Sequence, residues 1–435
     1  MLAMDTISVS AVSFVLVTLL LITWNYYVHR HHEDARRLRL ILDRIIEHRK
    51  IADFSFLGKT TIDQRLKLRS KPNARLNLTF KLSNSFTTSD QRVHQEFLNR
   101  ARHAISPVHR SSWAKIGVLT QEILKLSRKH FDDAPPYIPL ASFVRVVVFS
   151  IELHVLFKID PSNIDLGEAR KATTAINRLW IQSKNPNSIP SLYNQRVLED
   201  ALERLLPNEF HREDRTHPLN LIMPAYETLW RVVLLTFVSI AHRNEDSQTT
   251  DELQKAVENV PQCFDQKNDA EMRALAIAKE GLRLYPPTKR IYRATSTTDG
   301  ENGVVAANVE KVHRDSQVWG ADALQFKPTR FHNWRREGTS MAPEQATRSN
   351  IDVEYLRGLS YFPFGVGGHP CPASRGFGEK MIALLVVELT RHFGTRQKGS
   401  KIHFGNAEVQ KKVSALLPSG REDMENWVLE IEGGN

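Results

Sequence analysis

Cys371 has the most distinctive chemistry in the sequence, and it lies in a loop rich in glycine and proline at residues 362–373. The next segment, 377–393, has helical apolar spacing, so the thiol comes shortly before a predicted helix N-terminus, where the helix dipole favours a thiolate. A single thiolate suits an axial ligand of haem iron, whereas zinc needs three or four ligands and Cys263 lies far upstream. The loop alone leaves open a buried structural cysteine.

A charged pair lies on the amphipathic segment 269–284. Glu280 and Arg283 are three residues apart, so their side chains share one helix face, and two prolines shortly afterwards must end the helix. Arg330 follows in a P-x-R segment closer to the cysteine loop. Taken alone, the pair says little, because this spacing is common on helices.

A second polar pair, Glu227 and Thr228, lies in the segment 219–241, which is apolar nearly all round. Such a pattern predicts a buried central helix. Taken alone, the pair leaves open an ordinary ion pair between Glu227 and Arg231 on a helix that begins at Pro224.

The cysteine loop resembles the haem-binding signature of the cytochrome P450 superfamily, F-x-x-G-x-[RH]-x-C-x-[GA]. Its defined positions are filled here by Phe364, Gly367, His369, Cys371 and Ala373. The resemblance implies that Cys371 is the axial ligand of the iron, that Phe364 packs near the iron–sulfur bond, and that His369 reaches a haem propionate. A thiolate ligand favours cleavage of the O–O bond.

The charged pair resembles the K-helix motif of the same superfamily, with Arg330 as the third member. This resemblance implies a buried network of Glu280, Arg283 and Arg330 with a structural role. Arg293 is similar in position to the arginine that pairs with a haem propionate, and Arg290 is the competing candidate.

The second pair resembles the superfamily's I-helix motif, [AG]-G-x-[DE]-T. The resemblance implies that Glu227 and Thr228 deliver protons to dioxygen. Ala225 replaces the usual glycine, and Pro224 removes one backbone hydrogen bond and is expected to kink the helix before Thr228.

The resemblance covers roughly residue 76 to the last residue and has two departures from the family pattern. The W-x-x-x-R motif over the propionates is not visible, although Arg100 or Arg102 can stand in for it. The part between the anchor and Leu76 is short and lacks the usual proline-rich hinge, which suggests either abbreviated substrate loops or an incomplete version of the full-length protein. Residues 85–88, 97–102 and 224–233 resemble membrane-bound enzymes of fungal secondary metabolism.

The N-terminal segment Thr6–Val28 carries no charge and is long enough, as a helix, to cross a membrane. Basic residues follow it and none precede it, so the positive-inside rule places the rest of the chain in the cytosol. We therefore expect a single-pass anchor in the endoplasmic reticulum. A cleaved signal peptide is the alternative, but the segment lacks a basic n-region and a small-residue cleavage site.

The 435 residues, with 41% hydrophobic and 25% charged residues, indicate a folded protein that is mainly α with minor β. Two cysteines exclude a disulfide framework. We predict an anchor at residues 1–28, a stalk and linker at 29–75, and one large haem-binding domain at 76–435, with a strand at residues 76–86. Helices are predicted at 113–126 and in the three helical segments already described.

The expected function is that of a haem-thiolate monooxygenase acting on an apolar small molecule. Haem b and electrons from NADPH through a flavoprotein reductase follow from the resemblance. Two alternatives remain: a non-hydroxylating oxidation, dehydration or rearrangement on the same fold, and a membrane-tethered haem protein with impaired catalysis. The net charge of +10 has no accompanying nucleic-acid motif, so it is assigned to the membrane and to reductase docking through Arg100, Arg102, Arg375 and Lys380.

Overall fold

The computed structural model describes residues 3–110, 113–131, 136–185, 187–210, 217–259, 264, 269–297, 303–332, 334, 351–412 and 415–431. Helices predominate, as predicted. They are α1 Ala3–Asp53, α2 Ile62–Ser70, α3 Ala74–Phe80, α4 Gln91–Arg110, α5 Trp113–His130, α6 Leu140–Phe157, α7 Leu166–Gln182, α8 Leu192–Leu205, α9 Leu219–Phe237, α10 Ser247–Asn259, α11 Asp269–Leu284, α12 Val309–His313, α13 Ser316–Trp319, α14 Val353–Ser360, α15 Phe377–Phe393 and α16 Ala407–Lys411.

The strands are few and short, and they form two antiparallel sheets. They are β1 Tyr137–Pro139, β2 Arg290–Ala294, β3 Val304–Asn308, β4 Ser400–His403 and β5 Val428–Ile431. One sheet has the order β1-β5-β4 and the other pairs β2 with β3. The predicted mainly helical fold with small sheets is therefore confirmed.

The chain divides into two compact units. One comprises Met1–Glu47 with Arg335–Ser360, and the other comprises His48–Trp334 with Tyr361–Asn435. All the predicted site residues belong to the second unit, so the site is described within it. The boundaries of the anchor at residue 28 and of the stalk and linker at residue 75 stay predictions.

The core of the second unit is built from helices that are apolar on most sides. Helix α6 packs on α9, α9 on α15, and α15 on α11. Among the described residues, two helical stretches, Leu140–Phe157 and Leu219–His242, are long and apolar enough to cross a membrane, but 78% of an apolar 18-residue window in each is buried inside the protein. This burial is what core helices require, because nearly every face of each helix meets another element.

The predicted strand at residues 76–86 is wrong. Its first half is helical in α3, where Leu76 and Phe80 are buried on one face and Leu78 is 66% exposed. Apolar residues at alternate positions from Leu76 to Leu82 predict a strand, but the buried Leu76 and Phe80 are four apart, which is the spacing of a helix face. The helices predicted at 113–126, 219–241, 269–284 and 377–393 are confirmed by α5, α9, α11 and α15.

Gly281 allows α11 to approach α9 closely. A Cβ atom at this position would lie 2.0 Å from Thr236 Oγ1 and 3.0 Å from Thr236 Cβ. The Thr236 side chain is fully buried, so it has little room to withdraw. This contact brings the helix of Glu280 and Arg283 against the helix of Glu227.

We predict that Gly281→Ala lowers the free energy of unfolding by about 1–3 kcal/mol, because cores resist added atoms. Urea denaturation measures the change. Adding Thr236→Ala to the same chain should restore part of the loss, since it removes the nearest atom and leaves Cβ at 3.0 Å. Equal losses in the single and double variants would show that the contact is not the cause.

Candidate functional site

Cys371 lies at the end of a tight loop. Its N–H donates to the Phe364 carbonyl at 3.1 Å, and Gly365 and Gly367 adopt positive φ angles of 79° and 75°. A short 3-10 turn, Pro372–Ser374, separates Cys371 from α15. The helix begins at Phe377, as predicted, and the thiol immediately precedes the short turn that leads into it.

The Cys371 side chain is exposed, as a ligand must be if another group is to reach its sulfur. Protein atoms packed around the thiol nevertheless raise its pKa above the ordinary value, with the Ala373 N–H and the Arg69 guanidinium acting in the opposite direction. The expected thiolate is therefore not produced by the loop alone. A bound metal ion would supply the missing stabilisation, because a coordinating thiol is deprotonated.

The glycines of the loop serve close packing. A Cβ at Gly367 would lie 2.4 Å from Asp53 Cβ, so the end of α1 presses against the loop there. Phe364, the predicted neighbour of the iron–sulfur bond, packs its ring on α15, where a Cβ at Gly378 would lie 2.7 Å from the ring. The loop thus keeps its shape through contacts on both sides.

His369 lies among other basic side chains. Its ring centroid is 5.1 Å from that of His94 on α4 and 5.6 Å from that of Phe54. Neither buried ring nitrogen has a hydrogen-bond partner in the described part of the chain. Burial and, after it, the charges of Arg69 and His94 lower the pKa of His369 to about 3. The cluster can therefore accept an anion.

Arg293 on β2 belongs to the same cluster, whereas its competitor Arg290 is exposed. The Arg293 guanidinium lies 4.2 Å from the Phe54 ring centroid and donates to the Ala52 carbonyl at 3.0 Å. Burial, followed by the nearby Arg69 charge, lowers the pKa of Arg293 to about 9. The structure thus places Arg293, rather than Arg290, beside His369.

Glu280, Arg283 and Arg330 come together in a buried network, as the sequence predicts. Arg283 is fully buried and donates from Nε and Nη2 to the two oxygens of Glu280, each at 2.7 Å. Arg330 Nε lies 3.6 Å from Glu280 Oε1. The remaining donors of Arg283 reach backbone carbonyls of residues 313, 323 and 325, at 3.0, 2.7 and 3.4 Å. The network therefore fastens the segment leading towards the cysteine loop onto α11.

Glu227 is not paired with Arg231 in the described structure. It is buried on α9 and forms an ion pair with Arg421, a residue that precedes β5. Arg231 instead donates to the Pro287 carbonyl at 2.6 Å. The alternative prediction of an i,i+4 ion pair between Glu227 and Arg231 is therefore wrong. Glu227 instead pairs with a residue far away in the sequence.

Thr228 directs its hydroxyl to its own helix, where Oγ1 donates to the carbonyls of Pro224 and Ala225 at 2.9 and 3.1 Å. Pro224 lies inside α9 and does not begin it. The two members of the predicted acid–alcohol pair thus have different partners, and each must change its hydrogen bonding before it moves a proton.

The fold and the cysteine loop agree with the family model of cytochrome P450, which matches residues 177–415. The chain belongs to the cytochrome P450 family. It is 26% identical over 300 residues to cytochrome P450 72A15 from Arabidopsis thaliana, which covers 66% of this chain and 51% of that protein. It is 34% identical over 124 residues to beta-amyrin 24-hydroxylase from Glycine max, covering 26% of this chain and 20% of that protein.

A solved structure of a variant of cytochrome P450 OleT in complex with arachidonic acid shares the fold. Its TM-score is 0.53 at 12% sequence identity, and the match covers 85% of this chain and 84% of that chain. The chain spans between 24% and 51% of the length of the first curated relatives that it matches. Membership of the family is thus shown over part of the relatives' length.

The residues of this P450 chain fit a haem. Cys371 offers one exposed sulfur, and the unpartnered nitrogens of His369 lie beside Arg69 and Arg293, a donor set that suits the two carboxylates of the group. When bound, haem with a thiolate ligand supplies the activation of dioxygen. The protein's part is to hold the sulfur in position and to neutralise the carboxylates.

Three residues of the P450 site were missed by sequence reasoning: Arg69 on α2, His94 on α4 and Arg421 before β5. Of the two arginines expected to stand in for the missing W-x-x-x-R arginine, Arg100 is half-buried and Arg102 is exposed. A buried basic residue of α4 is His94. A histidine three residues before the apolar Phe97 was the available signal. Arg69 and Arg421 reach the site from distant parts of the chain and leave no local pattern.

His313 connects the buried network to the cysteine loop. Its Nε2 accepts the Phe362 N–H at 3.1 Å, and its carbonyl accepts Arg283 Nη1 at 3.0 Å. The ring stacks on Tyr361 with a centroid distance of 5.5 Å. An imidazole that accepts through Nε2 must be neutral, so the position of the loop depends on this protonation state.

Acid should destabilise the protein through His313. Burial lowers its pKa from 6.5 to about 3, so between these values the unfolded state binds a proton that the folded state does not, and stability falls as the pH is lowered. At about pH 4.5 the His313 imidazole alone should lower the free energy of unfolding by roughly 2 kcal/mol relative to about pH 7. Urea denaturation at both pH values checks this.

His313→Gln is the matched variant, because the amide oxygen can accept the same N–H but does not titrate in this range. It should lose less stability on acidification than the parent chain. The exposed His103→Gln serves as the control and should leave the pH dependence unchanged. An identical acid loss in the parent and His313→Gln would contradict the assignment.

Proposed function

We propose that the chain is a haem-thiolate monooxygenase that inserts one oxygen atom from dioxygen into a small molecule with an apolar body. The observation that carries the proposal is the exposed thiol of Cys371 beside a buried basic cluster whose His369 nitrogens have no partner among the described residues. A relative named beta-amyrin 24-hydroxylase supports hydroxylation as the reaction type. Glu227 and Thr228 move the protons, and haem b is the cofactor.

Electrons come, in this proposal, from NADPH through a flavoprotein reductase that docks on basic residues. Lys380 cannot contribute as freely as the sequence suggested, because it pairs with Glu271 at 2.8 Å and its side chain is 17% exposed. Arg375 and Arg102 are exposed and remain available for an acidic partner. Reductase coupling should therefore weaken as the salt concentration is raised.

The proposed location is the membrane of the endoplasmic reticulum, with the catalytic part in the cytosol. Helix α1 carries a run of large apolar side chains that are 53–74% exposed, between Phe14 and Tyr27. An exposed run of this kind is stable in an apolar environment and costly in water. Extraction of the full chain from membranes at alkaline pH tests it, and recovery in the soluble fraction would contradict the anchor.

Fungal secondary metabolism is the proposed setting. It is supported by the resemblance of residues 85–88, 97–102 and 224–233 to enzymes of that group. The curated relatives named above come from plants. Comparing the metabolites of a producer strain with and without the gene, and feeding the compound that accumulates, tests this part of the proposal.

The deciding experiment is spectroscopy of the full chain after expression with a haem supply. The reduced protein treated with carbon monoxide should show the strongly red-shifted Soret band of a thiolate-ligated haem. Turnover with reductase in labelled dioxygen should then place one labelled oxygen atom in the product. Absence of haem, or a haem without the shifted band, would refute the proposed function.

A non-hydroxylating reaction on the same fold is the second candidate. It is favoured by the ion pair between Glu227 and Arg421 and by the bonds of the Thr228 hydroxyl to its own helix. In this arrangement neither group is free to relay a proton. A product without labelled oxygen, formed at an unchanged rate by Thr228→Ala, would support this candidate over the first.

A further inference from the structure

Phe54 adopts a backbone conformation that bulky side chains avoid. It lies in the turn between α1 and α2, residues 52–58, with a φ angle of 73° and a ψ angle of 4°. This left-handed region is unfavourable for a residue with a large side chain. Such a conformation persists only where the surrounding structure determines it, and it is frequent at ligand-binding sites. The contacts of the Phe54 ring must therefore compensate for the backbone cost.

The Phe54 ring is buried against the basic cluster around His369. Phe54 is 1% exposed and shares a small apolar core with Leu68 of α2 and Ala294 of β2. The guanidinium carbon of Arg293 lies over the ring, 4.2 Å from its centroid. The His369 ring meets it edge to face, with the centroids 5.6 Å apart and the planes at 77°. One ring therefore contacts two of the side chains that would hold the haem carboxylates.

The backbone of the turn also holds Arg293. The Nη2 atom of this arginine donates to the Ala52 carbonyl at 3.0 Å, and its Nη1 atom donates to the carbonyl of its neighbour Tyr292 at 2.9 Å. The buried Nε has no hydrogen-bond partner among the described residues, and the same holds for both ring nitrogens of His369. The turn thus fixes both side chains while polar atoms of each remain available to a ligand.

The turn is pressed against the cysteine loop through Asp53. A Cβ atom at Gly367, whose φ angle is 75°, would lie 2.4 Å from Asp53 Cβ. The Oδ1 atom of Asp53 accepts the N–H of Ser55 at 2.9 Å and its hydroxyl at 2.6 Å. Burial and then the charge of Arg69 lower the pKa of Arg293 to about 9, although the Asp53 carboxylate acts in the opposite direction. Arg293 therefore stays cationic at neutral pH, and Asp53 serves mainly to stabilise the turn.

We propose that Phe54 is a positioning residue for haem, whose ring holds the Arg293 guanidinium and the His369 imidazole in the arrangement that receives the two haem carboxylates. The inference rests on the proposed function for the presence of haem at this cluster. An aromatic face attracts a cation, and the attraction is strongest where water is excluded, as it is at this buried ring. The ring limits the motion of the guanidinium, and a donor that is already ordered binds a carboxylate more tightly than a mobile one. Phe54 acts through these two side chains, so its effect appears in the rate at which haem leaves the protein.

Transfer of haem from the loaded full-length chain to an excess of apomyoglobin measures this rate. Phe54→Leu keeps most of the apolar volume and removes the aromatic face. Haem should therefore leave the variant about three- to ten-fold faster, as the loss of one buried cation–π contact implies. Haem dimethyl ester has the same porphyrin and no anionic carboxylates, so its release should stay within about two-fold of the rate from the parent chain. A role in general packing would instead speed the release of both.

A glycine variant keeps the test valid if Phe54→Leu folds poorly. Phe54→Gly removes the ring and relieves the left-handed backbone, because glycine adopts positive φ angles freely. It should show the same contrast between haem and its dimethyl ester. In a chain that already carries Arg293→Gln, Phe54→Leu should change haem release by less than about two-fold, because the guanidinium that the ring holds is gone. Leu57→Ala, at an exposed residue of the same turn, is the matched control and should leave both rates unchanged.

Equal acceleration of the release of haem and of its dimethyl ester would overturn the inference, as would no acceleration of either. An undiminished effect of Phe54→Leu beside Arg293→Gln would contradict it too. The proposed monooxygenase function fails on a different result: haem that leaves Phe54→Leu faster, in a chain without the red-shifted carbon-monoxide band, supports the positioning role and refutes the function. A chain with the band whose haem release is insensitive to Phe54 has the reverse outcome, and a parent chain that binds no haem refutes both.

Discussion

Cys371→Ala is expected to give a folded protein whose reduced form, treated with carbon monoxide, lacks the red-shifted Soret band of the parent chain. In the proposed function the Cys371 thiolate is the ligand of the iron, and its electron donation produces the shift. Monooxygenase turnover should fall to background in the same variant. Absorbance spectra and product formation, both normalised to protein, measure the two effects.

The matched control for this variant is Cys263→Ala, which removes the other cysteine of the sequence. Cys263 lies outside the described residues. The control therefore asks whether the loss of any cysteine thiol, or only that of Cys371, removes the shifted band. It should keep the shifted band. Secondary structure measured by circular dichroism should be the same in both variants, because the exposed Cys371 side chain adds little to the core. A shifted band in Cys371→Ala would overturn the assignment of the ligand.

Replacing Arg283 with methionine is expected to produce the largest loss of stability. Arg283 and Glu280 are both fully buried, so the substitution leaves the Glu280 carboxylate without its main partner in the core. Removing one member of a buried pair costs about 3–5 kcal/mol. Urea denaturation of the apoprotein and the fraction recovered in soluble form measure the loss.

The double variant Glu280→Leu with Arg283→Met should lose less than the sum of the two single variants, because it leaves no buried charge of the pair without its partner. It should still be less stable than the parent chain, since the carbonyls of residues 313 and 323 lose their donor. Lys412→Gln, at an exposed pair with Glu408, should change stability by less than about 0.5 kcal/mol. Strict additivity of the two core substitutions would contradict a coupled network.

The parts of the site that could be predicted are formed by residues that lie close together in the sequence. Glu280 and Arg283 lie on one helix turn, and Cys371 and His369 lie in one loop. The relative positions within each pair therefore follow from a short stretch of sequence. Arg330 was predicted as the third member of the network because it lies in a P-x-R segment like that of the family. The structure places Glu280, Arg283 and Arg330 in one network, whereas the roles of Cys371 and His369 at a haem stay predictions.

The parts that could not be predicted depend on contacts between distant segments. The partner of Glu227 is 194 residues away in the sequence, and nothing near Arg421 marks it as a buried residue. The strand predicted at residues 76–86 failed for a related reason, because alternation does not distinguish a strand from a helix with one exposed leucine. Tertiary burial decides such cases.

The pair of Glu227 and Arg421 has a consequence for synthesis of the chain. At roughly 5–20 residues per second, the ribosome needs about 10–40 s to proceed from one residue to the other. During that interval α9 cannot bury its carboxylate against this cation, so the central helix cannot settle into its final packing. The pairing of β1 with β5 imposes a longer delay, because Tyr137 cannot pair until Glu430 has been synthesised. These two pairings are therefore late steps in assembly, and chaperone dependence should concentrate there.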